Sequence, residues 1–305
     1  MLFVAAMSTS LPALGTSDGP GTSETGGAAP GAFQAAATPP ARNGSDWLRH
    51  DFQNALAHGQ LGVAYQPRVC LDTRRIVGAE ALARWPHRRH GMVPPAQFIP
   101  VAEQTGMVVP LGGWMLQAAC SEAARWPANL TVSVNASACQ LAKGVLLGQV
   151  RSALDLSGLA PERLEIELTE SMLVDATIET LLILSEIRDL GVGLALDDFG
   201  TGYAGLATVR RLPLTTLKLD RSFVRGVLRY REDTAIAQAV ITFGATLGLA
   251  IVAEGVEDEA QCRFLASLGC QEGQAFFFGR PASAERFREM SRNVVDPGAE
   301  GQPRC

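Results

Sequence analysis

Short apolar runs alternate with segments of helical period along most of the chain, and this repetition limits the fold more than any other feature. Eight runs read as strands: Leu61–Pro67, Ile76–Trp85, Leu130–Ser137, Arg163–Glu170, Val192–Phe199, Thr215–Asp220, Leu249–Gly255 and Gly273–Gly279. Between them the period lengthens. Ile183, Ile187 and Leu190 share a helix face, as do Ile236, Val240, Phe243 and Leu247. Phe264, Leu265 and Leu268 form another stripe, closed by Gly269 as a C-terminal cap. Strands alternating with helices of this length indicate βα units and a mainly parallel sheet. Eight strands in roughly 240 residues is the size of an α/β protein of the (β/α)8, TIM-like barrel type. A doubly wound sheet would want a Gly-rich phosphate turn after its first strand. The Gly-rich stretch here, Gly200–Gly205, follows the fifth strand and does not match that spacing.

Polar residues gather where these strands end. Glu80 lies late in the second strand, Asn135 late in the third, and Glu167 ends the fourth. Asp197 and Asp198 end the fifth, Lys218 and Asp220 the sixth, Glu254 the seventh, while Gln274 begins the eighth. In a barrel the C-terminal strand ends converge on the face that carries the active site. A single acid there is an ordinary solvated group, but acids on most of the strands converging on one rim are not. Carboxylates with one amide oxygen, and neither His nor Cys, suit hard cations such as Mg²⁺ or Mn²⁺. The donors outnumber what one Mg²⁺ takes from protein, so two ions sharing Asp197 use them better. Two such ions about 4 Å apart stabilise both the attacking and the leaving oxygen of a phosphoryl displacement. Adjacent strand residues face opposite sides, so the chain is expected to twist at Phe199–Gly200 to bring both aspartates to one place. Lys218 is either a structural partner of Asp220 or Glu254, or an ammonium that orients or helps deprotonate a water. Arg84 is a candidate phosphate clamp; Trp85 beside it reads as packing.

Composition narrows the rest. The 305 residues carry a formal charge of −5, against a general nucleic-acid polymer binder. Six scattered cysteines form no CxxC pair and read as buried reduced thiols. His87 and His90, flanking Arg88 and Arg89, read as a solvated turn. No apolar run reaches a membrane span, and the opening residues make a poor signal peptide, so a cytoplasmic protein without membrane association is expected. Residues 1–44, rich in Gly, Ala, Ser, Thr and Pro, read as a disordered tail. The barrel is expected over residues 45–291, with a flexible end at 292–305. Either Met1 or Met7 could be the start.

Taken together, several motifs resemble those of the EAL family of bacterial cyclic di-GMP phosphodiesterases. They are YQP at Tyr65–Pro67, GAEALARW at Gly78–Trp85, FIPVAEQTG at Phe98–Gly106 and NASACQ at Asn135–Gln140. ELTES at Glu167–Ser171, DDFGTGYAGL at Asp197–Leu206 and LKLDRSFV at Leu217–Val224 follow, then AEGVE at Ala253–Glu257 and GRP at Gly279–Pro281. The resemblance implies a barrel whose first strand is antiparallel to the others. It implies hydrolysis of cyclic di-GMP to linear pGpG with Mg²⁺ or Mn²⁺. It maps metal ligands onto Glu80, Asn135, Glu167, Asp197 and Asp198, and water-positioning or water-activating roles onto Lys218 and Glu254. Gln66, Leu82 and Arg84 map to substrate contacts, Gln274 to a supporting polar group, and Glu170 to the acid that anchors the loop after the fifth strand. A bacterial, cytoplasmic homodimer is implied, with an unidentified signalling partner open. Ala204 and Gly205 replace small hydroxyl residues usual in the family, and Ala275 stands where glycine is usual, a strain if the backbone there has positive φ. The alternatives are a cyclic di-GMP receptor with weak turnover and a regulator acting by protein contact.

Overall fold

The computed structural model describes residues 46–173, 177–200 and 209–292. The expected N-terminal tail, nearly all of the expected flexible end and the Ala204–Gly205 departures lie outside the described residues. Helix α1 (Asp46–Ala57) leads into β1 (Gly62–Cys70) and β2 (Ile76–His87), whose outer end hairpins into β3 (Gly91–Val93). Then come α2 (Pro95–Thr105), α3 (Val108–Ala123), β4 (Thr131–Asn135), α4 (Ala138–Ala142), α5 (Leu146–Ser157), β5 (Leu164–Thr169), α6 (Ile178–Asp189) and β6 (Gly193–Phe199). The remainder is β7 (Thr216–Leu219), α7 (Arg221–Gly226), α8 (Arg231–Thr246), β8 (Ala250–Glu254), α9 (Glu259–Ser267), β9 (Glu272–Gln274) and α10 (Ala284–Arg292).

The strands run β1-β9-β8-β7-β6-β5-β4-β2, and β2 returns to β1, closing an eight-stranded barrel. Strand β1 is antiparallel to both neighbours, and every other pair within the barrel is parallel. Closure leaves no unpaired strand edge to protect. The α/β barrel expected from the repetition is thus the fold observed, with its first strand reversed.

Alternation along the strands sorts the side chains into two environments. Ile166, Leu168, Leu194, Leu196, Leu217, Leu219 and Ile251 are wholly buried in the hydrophobic core. The intervening Glu165, Glu167, Thr216 and Lys218 are buried too, but they pair across the barrel: Glu165 with Thr216 and with Arg68 of β1, and Glu167 with Lys218. A barrel interior is usually filled by branched apolar residues; here it holds charges. At the N-terminal ends of the parallel strands, Arg68 binds Glu165 (2.5 Å), Glu272 (2.7 Å) and the Thr131 hydroxyl (2.9 Å).

Four expectations shift. Strand β9 stops at Gln274, so Gln274 ends the eighth barrel strand instead of beginning it. Beyond it the chain turns, with Phe278 and Gly279 amides donating to the Ala275 carbonyl, and Phe276 and Phe277 stand 48% and 45% exposed. The buried face of α8 is Ala237, Val240, Ile241 and Gly244, with Ile236 and Leu247 outside. The helix rolls toward Gly244, where a Cβ would come within 2.2 Å of Ile251 Cδ1. The histidine turn is only partly solvated: His87 Nε2 lies 3.2 Å from Asp51 Oδ2, and Trp47 stacks on His90 at 4.0 Å. Trp85 packs as expected, fully buried against Phe52 and Phe98. Cys120, Cys139, Cys262 and Cys270 are free thiols, whereas Cys70 is disulfide-bonded, contrary to the expectation for it.

Candidate active site

The C-terminal strand ends are held in place by caps. After Asn135, the Ser137 hydroxyl accepts from the Gln140 amide while Gln140 Oε1 accepts from the Ser137 amide, a capping box that starts α4. After Lys218, Asp220 caps α7 by accepting from the Ser222 amide at 2.9 Å. After Glu254, Asp258 caps α9 through the Gln261 amide at 2.8 Å. Each strand end therefore projects from a fixed turn. Asp220 is spent on this cap and is not the partner of Lys218.

Asp197 and Asp198 reach the same space by a different route from the one expected. The twist falls on Asp198 itself, at φ +57°, with Gly200 following at +99°. The pairing of β6 with β7 slips between Leu196 and Phe199, so the extra residue forms a bulge. Left-handed backbone is uncommon outside glycine, though aspartate tolerates it better than most residues.

Lys218 stands at the centre. It is 1% exposed, and its Nζ lies 2.8 Å from Glu254 Oε1, 2.9 Å from Glu167 Oε2 and 3.1 Å from Asp197 Oδ1. Burial alone would lower its pKa, but Asp197, Glu167, Glu254 and Glu80 outweigh burial and hold the ammonium well above the usual lysine range. Beside it Asn135 Nδ2 donates to Glu80 Oε1 at 2.6 Å, and Gln274 donates to Glu80 Oε2. The amide oxygen Gln274 Oε1 is buried without a hydrogen-bond partner.

Five carboxylates, on Glu80, Glu167, Asp197, Asp198 and Glu254, thus share one ammonium. Burial, then Asp197 and Asp220, push Asp198 up to about 7. Burial foremost, with Asp197 and Glu80 adding to it against Lys218, pushes Glu254 up to about 8. Burial, Glu80 and Asp197 raise Glu167 well above the carboxylate range against the pull of Lys218. Without further positive charge the cluster holds on to protons. Asp197, Asp198 and Glu254 offer ligand oxygens within 4.8 Å of one another, the one such group among the described residues. An all-oxygen donor set with this excess of negative charge fits hard divalent ions. The geometry brings Glu254 into the group directly, while Glu80 and Glu167 stand against it through Asn135, Gln274 and Lys218.

A cavity of about 620 Å³ opens over this cluster, lined by Gln66, Leu82, Arg84, Asn135 and Gln274 among others. The Arg84 Nη1 donates to the Ala83 carbonyl at 2.9 Å, and its Nη2 is buried without a partner, a donor left for a ligand. Ala275 is buried beside Gln274 and is not among the positive-φ residues, so its Cβ meets no backbone strain. Glu170 is buried in the turn that follows β5. The segment that it is expected to anchor lies outside the described residues. Arg221, Arg225, Arg280, Phe276 and Phe277 also line the cavity, and no site role is assigned to them from the sequence. The two phenylalanines were hidden by reading Gly273–Gly279 as a strand. The arginines follow strand ends by one to several residues, where no periodicity marks them.

Among the described residues no helix is long and apolar enough to cross a membrane. The family model of the EAL domain matches residues 49–281. The bifunctional diguanylate cyclase/cyclic di-GMP phosphodiesterase MucR of Pseudomonas aeruginosa is 44% identical over 243 residues, covering 78% of this chain and 36% of MucR. The cyclic di-GMP phosphodiesterase NbdA of the same organism is 39% identical over 249 residues, covering 80% of this chain and 32% of NbdA. The chain spans about a third of the length of the curated relatives it matches. The structure of the PaMucR phosphodiesterase in complex with c-di-GMP superposes with a TM-score of 0.75 at 43% identity, covering 79% of this chain and 99% of that one. With most of its length matched by the family model and its strand-end acids gathered over one cavity, the chain belongs to the EAL domain family.

Proposed function

We propose that this chain hydrolyses cyclic di-GMP to linear pGpG with two divalent cations, Mg²⁺ or Mn²⁺. The observation that carries the reading is the excess of carboxylates around Lys218 at the floor of a cavity with an unsatisfied guanidinium in its wall. The relatives named for this activity support the substrate. Glu80, Asn135, Glu167, Asp197 and Asp198 are the proposed ligands. Bound divalent ions would supply Lewis acidity toward the phosphodiester and toward the water.

The chain's own groups do the rest. Lys218, held as ammonium by three carboxylates, cannot act as a base; its three N–H groups fix Glu254, Glu167 and Asp197, and through them the place of the attacking water. Glu254, 2.8 Å from Lys218 Nζ, is the carboxylate placed to take the water's proton. The water oxygen forms the new P–O bond, the P–O3′ ester bond breaks, and the departing 3′ oxygen takes up a proton. Arg84 and Gln66 hold the substrate, and Leu82 presents an apolar wall to it. Glu80→Ala and Asp197→Asn are expected to lose hydrolysis by at least about 100-fold while leaving the protein folded. Either variant turning over cyclic di-GMP at the wild-type rate would contradict the assignment.

A further inference from the structure

The arginines that line the cavity differ in what they hold. Arg225 is paired with Glu257, Nε to Oε1 at 2.8 Å. Arg84 is partly tied to the Ala83 carbonyl, and Arg280 lies over the Phe276 ring, 4.5 Å from its centroid. Arg221 makes no ion pair and no side-chain hydrogen bond with any described residue, although it lines the same cavity next to the acids of the floor.

Its position is fixed from two sides. It is the first residue of α7, directly after the cap Asp220 and three residues past Lys218. On the other side it meets Gly255, the residue after Glu254. Gly255 has φ +70°, and a Cβ there would lie 2.5 Å from Arg221 Cβ and 3.3 Å from its Cα. Only a glycine permits this approach, so Arg221 is wedged between the ends of β7 and β8, lining the same cavity as Asp197, Asp198 and Glu254. Its charge reaches the Asp198 carboxylate and opposes the effect of Asp197 and Asp220 there. A guanidinium that lines this cavity, and is bonded to no described residue, has its planar fork free for an anion.

We infer that Arg221 grips a non-bridging oxygen of the phosphodiester that is cut. This rests on the hydrolase reading above. In that reaction the phosphoryl oxygens carry the negative charge of the transition state, and a fixed guanidinium placed there lowers the barrel's barrier to the step without exchanging any proton. Arg84, on the opposite strand β2, is then left to the remainder of the substrate.

The test is steady-state hydrolysis by the full chain of two substrates: cyclic di-GMP and bis(p-nitrophenyl) phosphate, which has one phosphodiester and no base. Arg221→Ala is expected to lower kcat about 100-fold on both, because the cut diester is common to them. Arg221→Lys should lose less than Arg221→Ala. Added guanidinium ion should restore part of the activity of Arg221→Ala at an unchanged Tm, which a merely structural role would not allow. A loss confined to KM for cyclic di-GMP would overturn the inference, placing Arg221 on a distant part of the substrate. So would an unchanged kcat on both substrates, or a loss that tracks a lowered Tm and resists guanidinium. Wild-type protein that leaves cyclic di-GMP intact would instead overturn the hydrolase reading, and this inference with it.

Discussion

At Asp198 the backbone takes φ +57° so that two neighbouring carboxylates face one space. An L-residue in that conformation costs on the order of 1 kcal/mol, and the two like charges repel in addition. Asp198→Gly is therefore expected to raise the stability of the cation-free protein by about 1 kcal/mol. The same change should lower activity by at least about tenfold. Chemical denaturation in chelator and a rate assay check the two halves. A variant that lost stability would show that no strain is stored there. That the paired aspartates converge on one place was legible in the sequence, because an apolar strand has no structural use for them. The residue that does the turning was not. A bulge depends on the register against β7, and one strand read alone places the twist at the nearest glycine.

The strands differ in how much of their pairing a sequence displays. The parallel strands were readable, since their apolar positions lie under helices and their polar positions stand out against them. Strand β9, only Glu272–Gln274, was overextended because three phenylalanines follow it. Phe276 and Phe277 belong to a turn that lines the cavity, while Phe278 packs back against the core. The Arg68–Glu165–Glu272 cluster was not foreseen at all: its members come from β1, β5 and β9, and only the closed barrel brings them together. It locks the reversed strand β1 to strands on two sides of the barrel. Arg68→Met leaves Glu165 and Glu272 buried without their counter-charge, and breaking a buried pair from one side costs about 3–5 kcal/mol. The folded fraction should keep its turnover number, because the cluster lies at the opposite end of the strands from the cavity. A variant with wild-type stability, or one stable but inactive, would contradict this division.

Across the whole molecule, one end of the barrel serves stability and the other is given over to charge that the protein alone does not neutralise. The consequence is a pH dependence of definite sign. Asp198, pushed up to about 7, and Glu254, pushed up to about 8, hold protons in the folded cation-free chain. Their unfolded counterparts release those protons near pH 4. Between about pH 4 and 8 the folded state binds more protons than the unfolded one, so stability falls as pH rises through that window. Divalent ions bound there would replace the protons, and Mg²⁺ should flatten the slope. Melting at pH 5 and pH 8, with chelator and with Mg²⁺, reads this directly; a cation-free Tm that rises with pH would contradict it. The most direct test of the molecule's proposed activity is chromatography of cyclic di-GMP incubated with the purified chain in Mg²⁺, in Mn²⁺ and in chelator. The expected result is pGpG that appears with either metal and not with chelator. Cyclic di-GMP left intact in every condition, by protein shown to be folded, would contradict the reading of the strand-end carboxylates as a hydrolytic centre.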